Sequence, residues 1–141
     1  MSKRILIIED DFDLSRQWNK LLQSHGYQVD LSYTAQEAII VLNNDKFDLI
    51  ILDRAIFIHT DLNNSHGIIS DGAEAFFKYL RETDQAHIKA IPIIGVSGFK
   101  VRGSIKRTQR YFLDHQVAEF LEKPIRPSAL LNAVKNCLGN N

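Results

Sequence analysis

The feature that most constrains the fold is an apolar run that ends directly in acidic residues. Residues 5–8 are all aliphatic, and Glu9, Asp10 and Asp11 follow without a break. A run this short is typical of a strand buried on both faces, as in a parallel sheet covered by helices. The acids then lie at the carboxyl end of the strand, the edge where open α/β sheets bind ligands. Adjacent carboxylates repel one another, so the pattern favours a divalent cation with oxygen ligands, such as Mg²⁺.

The rest of the chain alternates strand patterns with helix patterns. Strands are predicted at about 4–9, 27–31, 48–53, 91–96 and 117–121. Helices are predicted to about Ser24, from Thr34, from Asp71, over about 104–115, and from Pro127 to a stop at Gly139. Five strand–helix repeats indicate an α/β class fold, a doubly wound parallel sheet with right-handed crossovers. We therefore expect one domain over residues 1–141.

One stretch does not fit this alternation. Residues 54–70 have no clean period, and Asn63-Asn64-Ser65-His66-Gly67 is turn chemistry. We interpret residues 54–70 as an extended loop with a short ordered piece at Ala55 to Ile58. His59, Asp61 and His66 lie in this loop, but their spacing matches no closed zinc site, so ordinary polar loop residues are the favoured interpretation.

Bulk properties exclude several classes of protein. The 17 basic and 17 acidic residues cancel, so the chain as a whole has no charge that would draw it to nucleic acid or an anionic membrane. No apolar run approaches the roughly 20 residues of a membrane span. Cys137 is the single cysteine, which rules out a disulfide within the chain and fits a reducing compartment. We expect a cytoplasmic protein that binds neither membrane nor nucleic acid directly.

Polar side chains stand at the ends of four predicted strands. The first strand ends in Glu9 and Asp10, the third in Asp53, the fourth in Ser97, and the fifth is followed by Lys123. In a doubly wound sheet these ends share one edge, so the groups are expected to converge. Together they describe phosphoryl transfer to a carboxylate, with Asp53 as the nucleophile that becomes an acyl phosphate.

The remaining groups have roles that support this transfer. Glu9, Asp10 and Asp53 would hold Mg²⁺ together with the backbone carbonyl of Ala55, and the metal would offset charge on the transferring oxygens. Ser97 would hydrogen-bond one phosphate oxygen. Lys123 would pair with another as a point charge. A cis peptide before Pro124 would aim this lysine inward, although cis is the minority state of such bonds.

With these motifs in place, the chain resembles the receiver domain of two-component response regulators. The resemblance spans essentially the whole chain in the right element order, and Glu9-Asp10, Asp53, Ser97 and Lys123-Pro124 carry it. It implies a flavodoxin-like (CheY-like) sheet of order 2-1-3-4-5. It further implies phosphorylation of Asp53 by a histidine kinase or phosphotransfer protein, with Mg²⁺ as cofactor.

The resemblance also implies a switch. Phe120 falls where the family has its switch aromatic, which turns inward when the hydroxyl residue at the Ser97 position moves towards the phosphate. We thus expect a stand-alone receiver, a monomer or weak dimer, that signals by docking to a downstream protein and is not an enzyme.

Departures from the family pattern leave alternatives open. Arg54 directly after the acceptor is unusual, and the following loop is longer than usual by roughly a dozen residues. These departures motivate the alternative of a degenerate receiver that binds a protein partner without phosphorylation. A phosphatase of the haloacid dehalogenase type would need its Asp-x-Asp at Asp11 and Asp13, and no matching downstream pattern is present.

Lysines and arginines also concentrate around the predicted fourth helix. Lys100, Arg102, Lys106, Arg107 and Arg110 form a basic stretch that an acidic partner or a nucleic acid could meet. A solvated helix face is the favoured interpretation of this stretch.

Overall fold

The computed structural model of the 141-residue chain describes residues 2–59, 71–98 and 104–139, with the backbone alone at 104 and 105. Its strands are β1 (Arg4–Ile8), β2 (Gln28–Ser32), β3 (Leu49–Asp53), β4 (Ile93–Ser97) and β5 (Glu119–Glu122). Its helices are α1 (Phe12–Ser24), α2 (Ala35–Asn44), α3 (Gly72–Glu82), α4 (Ala86–Lys89), α5 (Ser104–Asp114) and α6 (Pro127–Leu138). In the described part of the chain, no helix is long and apolar enough to cross a membrane.

The strands form one parallel sheet in the order β2-β1-β3-β4-β5. The predicted α/β fold and its strand order 2-1-3-4-5 are therefore confirmed. Ile8 of β1 pairs with Leu52 of β3, so the residues that follow them, Glu9 and Asp53, lie side by side at the carboxyl end of the sheet. The order reverses between β1 and β3, and such a reversal opens a crevice at the carboxyl ends of the strands.

Strand residues alternate between two hydrophobic cores because successive side chains point to opposite faces. On one face, Ile5, Ile7 and Ile51 pack with side chains from α1 and α6. On the other face, Leu6 and Leu52 pack with side chains from α2, α3 and α5. All five strand residues are completely buried, which explains why β1 and β3 read as continuous apolar runs rather than as alternating ones.

Side-chain caps fix where three helices begin. Asp11 accepts a hydrogen bond from the Leu14 N–H at the start of α1, and Asp71 accepts one from the Glu74 N–H at the start of α3. Thr34 accepts from the Glu37 N–H at 3.2 Å and caps α2. The predicted starts of the second and third helices at Thr34 and Asp71 coincide with these caps. This agreement is expected because N-cap residues can be recognised from the local sequence.

Two predictions about elements need correction. Helix α4 (Ala86–Lys89) was not predicted, because a helix of 4 residues is too short to show a 3.6-residue period. The predicted strand ends also differ from the observed ones by one or two residues. The first strand ends at Ile8 rather than Glu9, because Ile8 is the last residue of β1 that pairs with β3.

The first residues after Asp53 make defined contacts with α2 and α3. Ile56 is 2% exposed, and Phe57 forms an isolated parallel bridge with Thr34, which confirms the predicted ordered piece. The Ala35 N–H donates to the Phe57 carbonyl and the Gly72 N–H to the Ile56 carbonyl. A Cβ on Gly72 would lie 2.4 Å from the Phe57 carbonyl oxygen, so this approach requires glycine. Residues 60–70 of the predicted loop lie outside the described residues.

Candidate functional site

Three carboxylates meet where β1 and β3 end. Glu9, Asp10 and Asp53 each place one oxygen so that all three oxygens lie within 4.8 Å of one another. Glu9 is completely buried and Asp53 is 3% exposed. The register of β1 against β3 explains this convergence, because both chains reach the same edge one residue after the Ile8–Leu52 pair.

Lys123 reaches the same cluster from the other side of the sheet edge. Its backbone N–H donates to the Ser97 carbonyl at 2.8 Å. The Lys123–Pro124 peptide is cis, which confirms the prediction. The Lys123 ammonium group donates a hydrogen bond to Glu9 Oε1 and lies 3.4 Å from Asp53 Oδ1. The structure thus brings Glu9, Asp10, Asp53 and Lys123 into one site.

Burial and neighbouring charges both shift the pKa values of the residues in this site. Burial raises the pKa of Glu9 to about 9, the neighbouring Asp53 carboxylate adds to the rise, and Lys123 opposes it. Burial acts to lower the pKa of Lys123, but the Asp53 and Glu9 carboxylates outweigh it and hold that pKa above its ordinary value. The protein alone therefore supplies too little positive charge for its acids, which is the condition that a divalent cation relieves.

Two buried carboxylate oxygens lack a hydrogen bond, and this bears on whether a metal ion fits the site. Glu9 Oε2 and Asp53 Oδ1 are buried and accept no hydrogen bond from the described residues. Buried polar atoms normally have partners, and each exception asks for an explanation. Hard oxygen donors from three acids suit Mg²⁺ or a similar divalent ion. The residues present fit such an ion.

The structure also locates the other residues predicted for the site. Ser97 ends β4, is 7% exposed, and donates its hydroxyl hydrogen to the Gly98 carbonyl at 3.2 Å. Ala55 is exposed in the turn after Asp53. Phe120 is half-buried in β5, with its ring 5.7 Å from the Phe112 ring on α5. The metal contact of the Ala55 carbonyl and the switching of Ser97 and Phe120 stay predictions.

Sequence reasoning missed two ion pairs around the site. Lys123 was assigned to a phosphate oxygen, and the structure pairs it with Glu9. Arg54, which the sequence marks only as an unusual residue after the acceptor, binds Asp71 through both carboxylate oxygens. The second pair joins residues 17 apart across the long loop, so no local pattern announces it.

A family model agrees with this geometry. The model of the response regulator receiver domain matches residues 5–135. The chain belongs to the response regulator receiver family. The match includes every strand and all of the converging site residues, so this receiver domain has the family's elements from β1 to most of α6.

Individual relatives of this receiver domain vary in length. A Porphyra purpurea protein named "Probable transcriptional regulator ycf29" is 30% identical over 98% of the chain, which spans 57% of that relative. The polar-differentiation response regulator DivK of Brucella anthropi is 23% identical over 99% of both chains. The chain is thus as long as one receiver relative and about half as long as another.

A solved structure gives the same fold. The chemotaxis response regulator CheY4 of Vibrio cholerae superposes with a TM-score of 0.74 at 22% identity, over 97% of this chain and 99% of that one. At 22% identity, this similarity is evidence for the fold alone. The CheY-like architecture of this receiver domain therefore rests on both its own strand order and this superposition.

Proposed function

We propose that this receiver domain accepts a phosphoryl group on Asp53 from a phosphohistidine of a histidine kinase or phosphotransfer protein. The observation that carries the proposal is the convergence of Glu9, Asp10 and Asp53 within 4.8 Å beside the Lys123 ammonium group. In the transfer, an Asp53 carboxylate oxygen forms a bond to phosphorus and the bond from phosphorus to the histidine nitrogen breaks. The donor imidazole, which carries a proton on its other ring nitrogen, leaves as neutral histidine, and Asp53 becomes a mixed anhydride.

The residues around Asp53 support its role as acceptor. Glu9 and Asp10 would hold Mg²⁺ together with Asp53, and the bound ion supplies charge neutralisation for the acceptor and the incoming oxygens. Lys123 is 3.4 Å from Asp53 Oδ1 and would pair with a phosphoryl oxygen. Ser97 lies one residue beyond the partner of Asp53 in the β3–β4 register, within the same edge, where its hydroxyl would donate to another oxygen.

Further parts of the proposal concern biology rather than chemistry. The chain would act in the cytoplasm as a signalling domain and not as an enzyme. Its output would be docking to a downstream protein, without direct contact to nucleic acid or membrane, and as a monomer or weak dimer.

Acetyl phosphate with Mg²⁺ tests the acceptor directly. We expect intact-mass spectrometry to show one added phosphoryl group on the native chain, sensitive to hydroxylamine, and none on Asp53→Asn. Asp84→Asn is the matched control, because Asp84 is an exposed acid between α3 and α4. Labelling of Asp53→Asn to the native extent, or no labelling of the native chain, would contradict the proposal.

A degenerate receiver that binds its partner without phosphorylation is the second candidate. Arg54 favours it, because a cation directly after the acceptor is committed to Asp71 rather than free for a phosphate. Fluorescence of Trp18 discriminates the two, since its ring centroid lies 6.0 Å from the Lys123 ammonium nitrogen. A change in Trp18 emission on addition of Mg²⁺ supports the phosphoacceptor, and no change supports the degenerate receiver.

A further inference from the structure

The cluster around Arg54 joins the acceptor strand to two helices. Arg54 lies in the turn directly after Asp53, and its side chain contacts Asp71 and Tyr111 on the α3 and α5 side. Its backbone is held at the sheet, where the Arg54 N–H donates to the Val96 carbonyl at 2.8 Å. A movement of the β3 end at Asp53 is therefore passed directly to Arg54.

The guanidinium group is bound on two sides. Nη1 and Nη2 donate to the two carboxylate oxygens of Asp71 at 2.6 and 2.9 Å. The guanidinium carbon also lies 4.0 Å from the centroid of the Tyr111 ring on α5, a cation–π contact. Asp71 in turn caps α3, so Arg54 holds the start of α3 and the middle of α5 at once.

Tyr111 carries the contact into the rest of α5. Its hydroxyl donates to Glu74 Oε2 at 2.8 Å, and burial together with this bond raises the pKa of Tyr111 well above its ordinary value. The Tyr111 ring packs against Phe77 of α3 at 5.8 Å, and His115 stacks on Phe77 at 4.2 Å. The polar and aromatic contacts of Tyr111 thus fasten α5 to α3 along its exposed side.

We propose that Arg54, Asp71 and Tyr111 form a clamp that holds α5 against α3 in the unmodified chain and is loosened by negative charge on Asp53. Asp53 directly precedes Arg54 in the chain, so negative charge added there would attract the guanidinium group in competition with Asp71, in a half-buried position where solvent screens weakly. Loss of the bidentate pair then removes the cation–π contact from Tyr111, so α5 is held to α3 less tightly. This inference rests on the proposed function for its input, and on the contacts of Arg54 for its path.

Hydrogen exchange of the α5 amides tests the clamp without any modification. We expect residues 108–114 to exchange at least threefold faster in Arg54→Ala than in the native chain, and to an intermediate degree in Arg54→Lys, which keeps the charge but not the planar two-bond geometry. Arg81→Ala is the matched control, because Arg81 contacts the same Glu74 at 3.4 Å without touching β3. Equal exchange in Arg54→Ala and the native chain, or an equal rise in Arg81→Ala, would overturn the clamp.

Beryllofluoride with Mg²⁺ then tests the coupling to Asp53. We expect the native chain with bound beryllofluoride to show the same rise in α5 exchange, and Arg54→Ala to show no further rise although it binds the ion, as ¹⁹F NMR would register. Binding without a change in native α5 overturns the coupling and leaves the phosphoacceptor standing. Absence of binding to the native chain overturns the phosphoacceptor and the coupling together, while the exchange comparison without fluoride still decides the clamp.

Discussion

At the scale of single residues, the site depends on charges that the fold has forced together. Glu9 and Asp53 are almost fully buried, and Lys123 is their protein counter-charge. A buried acid without enough compensation destabilises the fold, so the cluster lowers the stability of the chain unless a cation binds there. The same cannot be said of Arg54 and Asp71, which are partly exposed and well matched.

The Arg54–Asp71 pair makes stability depend on pH in a definite direction. Burial acts to raise the pKa of Asp71, but the Arg54 guanidinium and the Glu74 and Ala73 N–H groups outweigh it and lower that pKa. A lowered pKa means that the pair stabilises the fold above the ordinary pKa of the carboxyl and that this contribution is lost as pH falls through the folded-state value. The pair is partly screened, so its worth is about 1 kcal/mol or less.

Asp71→Asn isolates this charge effect, because asparagine also caps a helix. We expect the variant to be less stable than the native chain by up to about 1 kcal/mol at pH 6–8 in urea unfolding, with the gap closing as pH falls to 3. Asp84→Asn serves as control and should show no such gap. A gap that is constant from pH 8 to pH 3 would mean that the carboxylate charge is not what Arg54 binds.

At the scale of elements, local patterns predicted the strands and the capped helices. The aliphatic runs of β1 and β3, the cap at Thr34 and the helix stop at Gly139 are all signals within a few residues. Contacts between distant elements were out of reach, because nothing near Arg54 announces Asp71 and nothing near Lys123 announces Glu9. The converging strand ends were predictable only because parallel sheets place all carboxyl ends on one edge.

The segment after Asp53 shows how one element depends on the fit of another. Gly72 begins α3 directly against the Phe57 carbonyl, where an added Cβ would lie 2.4 Å from that oxygen. We expect Gly72→Ala to push the 56–58 segment from α2 and to destabilise the chain by about 1–3 kcal/mol. The amides of Ala35 and Gln36, which donate to the Phe57 and Ile58 carbonyls, should lose protection in hydrogen exchange.

Gly98→Ala is the matched control for this substitution. Among the residues that the structure describes, a Cβ there would meet only the Lys123 side chain at 3.8 Å, an ordinary contact. Native protection of the Ala35 and Gln36 amides in Gly72→Ala would show that the 56–58 segment is not held by the start of α3.

At the scale of the whole molecule, cation binding and folding are linked. The acids of the site come together only in the folded chain, so an ion bound there stabilises the native state by mass action. At ten times its Kd, Mg²⁺ would add about 1.4 kcal/mol, which for a domain of this size is a rise in Tm of about 5 °C. We expect this rise in the native chain and its loss in Asp10→Asn, by thermal unfolding with and without Mg²⁺. An equal rise in Asp10→Asn would place the ion elsewhere.

The bond between Lys123 and Glu9 spans 114 residues of sequence. Glu9 is therefore made well before its counter-charge, which arrives only after β5 has been synthesised. Until then the nascent chain carries an incomplete acidic pocket. A premature stop before residue 123 would leave the three acids without their lysine, even where the early strands had already paired.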